Sequence, residues 1–135
     1  MFNVIMILFF NYNLFASNDG YPKNTKIDVI NYVFNIGLSD KTDKITCKAS
    51  VDVQFLVANV QELRLDLVNY SSELGYKGMI VTSVKVNDKE LKFKHQNNEL
   101  LIYFNEVSKI NQRRKYIIKY EGIPANGLKI GKNKY

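Results

Sequence analysis

Among the side chains able to do chemistry, the scarcest types carry the most information: there is one histidine, His95, and one cysteine, Cys47. A catalytic zinc takes about three protein ligands from His, Asp, Glu or Cys. His95 has no histidine partner, and the chain holds neither a His-Glu-x-x-His pair nor a paired-cysteine spacing. A serine or cysteine nucleophile would have to share that one imidazole without any surrounding motif. No glycine-rich phosphate loop occurs. The carboxylates Glu62, Asp66 and Glu73 are spread along polar faces and loops, with no spacing that pairs an acid with a base. The residues therefore single out no catalytic, cofactor-binding or metal-ligating position, and no cofactor is expected in this chain.

The two scarce residues have structural readings. His95 continues the parity of Leu91 and Phe93 and abuts Gln96-Asn97-Asn98, which predicts a turn-adjacent structural histidine. Cys47 has no partner, so no internal disulfide forms, and its place in an alternating run predicts a buried small hydrophobe.

Those residues sit in a chain that reads as strand after strand. In "KITCKASVDVQFLV" the positions Ile45, Cys47, Ala49, Val51, Val53, Phe55 and Val57 are apolar while Thr46, Lys48, Ser50, Asp52 and Gln54 are polar. Period two over such a length predicts a half-buried strand. Before it, Ile30, Tyr32, Phe34, Ile36 and Leu38 share one parity, and the polar link "SDKTDK" makes the two runs a long hairpin. Leu63, Leu65 and Leu67 alternate with Glu62, Arg64 and Asp66, and a Ser/Gly-containing loop runs from Asn69 to Gly78. Ile80, Val84 and Val86 then share a parity, Asn87-Asp88 supplies turn chemistry, and "ELKFKH" returns with Leu91 and Phe93 inward. After Gln96-Asn97-Asn98 come "ELLIYF" and the last clear strand, "RRKYIIKY", with Tyr116, Ile118 and Tyr120 on one face. The fold class expected is all-β, an antiparallel sandwich of about seven or more strands. No amphipathic helix and no internal repeat is evident.

The formal charge of +6 raises nucleic acid or anionic lipid as partners. Its distribution argues against both. Lys44, Lys48, Lys85, Lys92, Lys94 and Lys119 stand singly on polar strand faces, and only Arg113-Arg114-Lys115 and the tail Lys129, Lys132 and Lys134 cluster. Nine tyrosines invite a stacking platform, but Tyr32, Tyr116 and Tyr120 share the parity of core residues and are expected to pack there. Asn69-Tyr70-Ser71 matches a glycosylation sequon, a pattern too short to carry weight.

The N-terminus differs in kind. Residues 1–17, "MFNVIMILFFNYNLFAS", hold an apolar run from Val4 to Phe10 with no charge before Asp19, and Leu14-Phe15-Ala16 gives an imperfect small-residue cleavage site. The run is too short to span a bilayer and reads as an export signal, although no basic residue precedes Lys23. A buried N-terminal strand is the alternative. Residues 18–135 would form the mature domain, exported to the periplasm, the cell surface or the medium, with no stable membrane span once the leader is cleaved.

Taken in order, "INYVFNIGLSDKTDKITCKASVDVQF", "LRLDLVN", "VTSVKVNDKELKFKHQNNELLIYF" and "YIIKYEGIPANGL" resemble the N-terminal β-domain of M1-family zinc aminopeptidases, the aminopeptidase N group. The signals are a long first hairpin, a Leu-Asp-Leu strand, a Ser-Val-x-Val-Asn turn, a polar turn into a Leu-x-Ile strand and a closing Tyr-x-Gly-x-Pro. The resemblance covers residues 25–130. Cys47 stands where such domains often place a glycine. The family's His-Glu-x-x-His with its distant Glu and its Gly-x-Met-Glu-Asn motif belong to a separate catalytic domain, and neither is present, so no site residue carries over.

The resemblance implies a non-catalytic domain or fragment of an exported zinc metallo-aminopeptidase, packing on a peptidase domain and helping shape its cleft, with zinc only in that other domain. On this reading "GLKIGKNKY" is an interrupted connection, the chain is truncated, and "YIIKY" or "LKI" would expose an unpaired edge or apolar patch. A free-standing secreted binding module for a peptide, glycan or protein is the alternative. Nucleic-acid binding through the basic tail is a third, less favoured reading.

Overall fold

The structure, a computed structural model, describes residues 24–126. The leader and the basic tail of Lys129, Lys132 and Lys134 lie outside the described residues, as does "LKI". The described chain forms eight strands: β1 (Ile27–Ser39), β2 (Thr42–Phe55), β3 (Glu62–Asp66), β4 (Gly78–Val86), β5 (Lys89–Glu90), β6 (Lys92–Gln96), β7 (Glu99–Tyr103) and β8 (Arg113–Ile123). They make two antiparallel sheets, ordered β1-β2-β8-β4-β5 and β3-β7-β6. The all-β class expected from the alternation is the class observed.

β2 shows why. Its apolar positions from Ile45 to Phe55 are all buried, while their neighbours are exposed or half-buried. Cys47 lies among the buried residues and is a free thiol, as its parity predicts. From the other sheet Leu63, Leu100 and Ile102 close on Phe55, Val84 and Tyr116 to make the core. Burial of each such side chain contributes about 1.5–3 kcal/mol.

Turn chemistry fixes the register. Asn87 and Asp88 have φ of 48° and 62°, and Asn97 and Asn98 have φ of 53° and 62°. Positive φ at both central residues is the hairpin turn whose twist matches that of the strands, and Asn and Asp tolerate it. Gly78 (φ 108°) is a different case, because a Cβ there would collide with the backbone of Asn69 and Tyr70. Only glycine lets the chain fold back at that point.

Several sequence expectations need correction. "ELKFKH" is not one strand: β5 pairs with β4 through Lys85↔Glu90, β6 pairs with β7, and buried Leu91 sits where the chain crosses between sheets. In β4 the buried side chains are those of Met79, Val81 and Val84, and Ile80 is exposed. A bulge between Val81 and Ser83 shifts the parity midway, which no alternation count can foresee. "YIIKY" is not an unpaired edge either. β8 is interior, pairing with β2 on one side and β4 on the other.

Candidate interaction surface

The largest departure from the sequence reading lies in β1. Tyr32, Phe34 and Ile36 stand opposite the buried Val51, Ala49 and Cys47 of β2, hence on the inner face of the large sheet. Yet Tyr32 is 48% exposed, Phe34 52%, Ile36 53% and Leu38 60%. Among the described residues the facing sheet has three strands. The inner-face positions of β2 and β8 reach the core, whereas on β1 only Ile27 and Val29 pack against it. The packing expected of Tyr32 is therefore not what the fold provides, while Tyr116 is buried and Tyr120 is half-buried against the core.

Under the uncovered row lies an open groove of about 290 Å³, walled by Tyr32 and Phe34 on one side, Leu65, Asp66 and Leu67 on the other, and Tyr120. The Tyr32 and Phe34 rings lie parallel, 5.9 Å between centroids. Burial raises the Tyr32 phenol pKa, and the Asp66 carboxylate adds to the rise. Burial also raises that of Tyr120, helped by the adjacent Cys47 thiol. Both phenols thus stay neutral at ordinary pH, as hydrogen-bonding rims on an apolar trough.

The residues with chemical potential serve the fold. His95 Nε2 bonds the Leu67 carbonyl at 2.9 Å, tying β6 to the chain leaving β3, the structural role its turn-adjacent place predicted. Asp66 pairs with Arg64 at 3.0 Å, and Arg64 also holds Glu99. Glu62 lies exposed on β3, and Glu73 is in the loop, its N–H donating to Ser71 Oγ. The Asn69 side chain accepts from Asn98 N–H at 2.7 Å and donates to the Tyr70 carbonyl, so the sequon amide is engaged in bracing a turn. Lys44 and Lys85 are paired with Glu121 and Glu90. Among the described residues no group of three or more His, Cys, Asp or Glu side chains is placed to hold a metal ion.

Two structural residues escaped the sequence reading. Arg114, read as part of a basic cluster, lies over the rings of Phe55 and Phe104 at 5.2 and 5.0 Å. It donates to the Glu106 and Val107 carbonyls and to Gln112 Oε1. Alternation along β8 sends Arg113 and Lys115 to solvent and Arg114 to this clamp, so the run makes no continuous basic patch. Ser108 is buried, accepting from Val60 N–H at 3.0 Å and donating to the Val57 carbonyl at 3.1 Å. The two loops it joins present Leu56, Val57, Val107 and Ile110 to solvent at one end of the sandwich.

Comparison with known proteins finds a likeness of fold. No family model matches the chain, and no curated protein matches it in sequence. Among solved structures it is similar to an M1 zinc metallopeptidase from Deinococcus radiodurans, in the mutant bound to a Tyr-Ser-Ala substrate (TM-score 0.61, 13% identity, 74% of this chain). The structure described simply as the M1 zinc metallopeptidase of that organism matches with TM-score 0.61 and 12% identity over 75% of this chain. A two-domain M1 zinc metallopeptidase mutant bound to L-tryptophan does so with the same values. The chain spans 21% of the length of each. The fold is thus that of a β-sandwich found within M1 zinc metallopeptidases.

Proposed function

We propose that the chain is a non-catalytic β-sandwich domain of an exported M1-type zinc aminopeptidase, which packs on a peptidase domain and helps shape its substrate cleft. The observation that carries this reading is the fold likeness over about three-quarters of this chain to one portion of multidomain zinc peptidases. The order of turns and strands in the sequence supports it independently. So does the apolar loop end formed by Leu56, Val57, Val107 and Ile110, a surface suited to contact with another domain.

On this reading zinc and turnover belong to the other domain, and the chain alone hydrolyses nothing. The test is to measure zinc content and amino-acid release from aminoacyl-amides by the purified chain, alone and mixed with an M1 peptidase domain from the same source. Activity confined to the mixture, together with a complex of the two, is the expected result. Stoichiometric zinc or turnover in the chain alone would overturn the proposal. A chain that ignores the peptidase domain yet retains a peptide or glycan would favour a free-standing binding module.

A further inference from the structure

The strand edges of this sandwich are not treated alike. β3 and β6 are short and carry Glu62, Arg64 and Asp66 or Lys92 and Lys94. The outer edge of β4 is occupied at one end by the chain at Asn69 and Tyr70, which bonds to Met79, at the other by β5, and is bulged between. Short length, charge, bulges and cover are the devices that stop a sheet edge from recruiting another strand. β1 has none of these along its middle. It runs for 13 residues, its single charged side chain is Asp28 near its start, and its two irregularities fall near its ends. From Asn31 to Gly37 it is regular and uncharged, and among the described residues it is paired on one side, with β2.

The inner face of that edge is also apolar. Tyr32, Phe34 and Ile36 stand on the inner face, and Ile30, Val33 and Leu38 add to the exposed apolar surface. Each of the six is 40–60% exposed. Scaled by ordinary side-chain areas, they present on the order of 500 Å² per copy. Edge-to-edge pairing would bury the lateral part of that area in each copy together with the main-chain edge, while the sheet face of each row stays open.

We propose that β1 is a self-pairing edge: two copies of this chain join β1 to β1, antiparallel, into one continuous sheet across a twofold axis. A twofold edge pairing is self-complementary and closes at two copies. It satisfies the outward N–H and C=O groups of the Asn31 to Gly37 stretch and sets the two Tyr32-Phe34-Ile36-Leu38 rows side by side. It places no lysine against a lysine, because the middle of β1 holds none. This inference goes beyond the proposed function and does not depend on it.

The test is sedimentation of the full chain over a concentration series, with amide hydrogen exchange at two concentrations. The expected result is a monomer–dimer equilibrium, with exchange in Asn31 to Gly37 slowing as the dimer fills. Phe34→Lys should weaken association at least tenfold while the circular dichroism spectrum stays unchanged. Asn35→Lys, at a position already polar and exposed, does the same if Phe34→Lys disturbs the fold. Lys94→Ala on β6 should leave association intact. A chain that stays monomeric up to ~200 µM would overturn the proposal. So would a dimer that both lysine variants leave unchanged, open-ended assemblies, or β1 amides whose exchange ignores concentration.

Discussion

Tyr116→Phe tests the core at its most exacting point. The ring is fully buried, stacks on Phe104 with centroids 5.7 Å apart, and its hydroxyl has no hydrogen bond of good geometry, the Arg114 guanidinium offering only a poorly aligned contact. The Arg114 guanidinium is near enough to pull the phenol pKa down, but burial outweighs it and pushes the value up to about 12. Two consequences follow. At pH 7, removing an unsatisfied buried hydroxyl should leave stability unchanged or raise it by about 1 kcal/mol, where a bonded hydroxyl would have cost about that much to lose. At high pH the wild type should weaken. Below pH 10 both states hold the phenol neutral and its contribution is complete. Between pH 10 and 12 the unfolded chain ionises while the folded one resists, so stability falls, by about 2–3 kcal/mol in total. Other tyrosines titrate in the same window, so the assay is the difference between wild type and Tyr116→Phe in urea unfolding from pH 8 to 12. The difference should grow in favour of the variant above pH 10. A loss of 1 kcal/mol at pH 7, or a difference flat with pH, would show that the hydroxyl has a partner and refute the reasoning.

Three further substitutions probe the loops and the clamp. Arg114→Lys keeps the charge but loses the planar fork that bonds Glu106, Val107 and Gln112 while lying on two rings, and should cost about 2 kcal/mol in chemical denaturation. Ser108→Ala orphans the Val60 N–H and the Val57 carbonyl, with an expected loss of about 1–2 kcal/mol and faster amide exchange in residues 57–60. Gly78→Ala forces a Cβ onto the Asn69–Tyr70 backbone at positive φ and should cost about 2 kcal/mol or more, with loss of exchange protection at Tyr70 and Met79.

How far the fold was legible depends on what a period can encode. The alternation of β2 and β8 was legible because an interior strand with a covered face buries one parity over most of its length, although Val57 falls outside β2 and β8 is not the edge expected of it. Asn87-Asp88 and Asn97-Asn98 announced their hairpins because few residues accept φ above zero. The bulge in β4 and the sheet crossing at Leu91 were not legible, since each inserts a phase change that leaves composition untouched. Arg114 was hidden for a related reason. In "RRK" three cations look alike, and only the phase of β8 against Phe55 and Phe104 picks out the middle one. Ser108 gave no signal, because its partners lie 48 and 51 residues away in sequence.

The failure on β1 is of another kind, and it bears on function. Its alternation is as clean as that of β2, and the side chains do point to the inner face, yet three strands opposite five cannot cover them. Sequences tend to agree with their folds at every level, and disagreements collect where something beyond the fold acts on the chain. Tyr32, Phe34, Ile36 and Leu38 are chosen as if for burial and are left in water by the sandwich itself. His95, Asn69, Arg114 and Ser108, the polar groups that might have done chemistry, are all bound to backbone. Among the described residues the part still carrying unmet physical demand is therefore a strand edge and its apolar face, and that is where the proposed self-pairing of β1 acts.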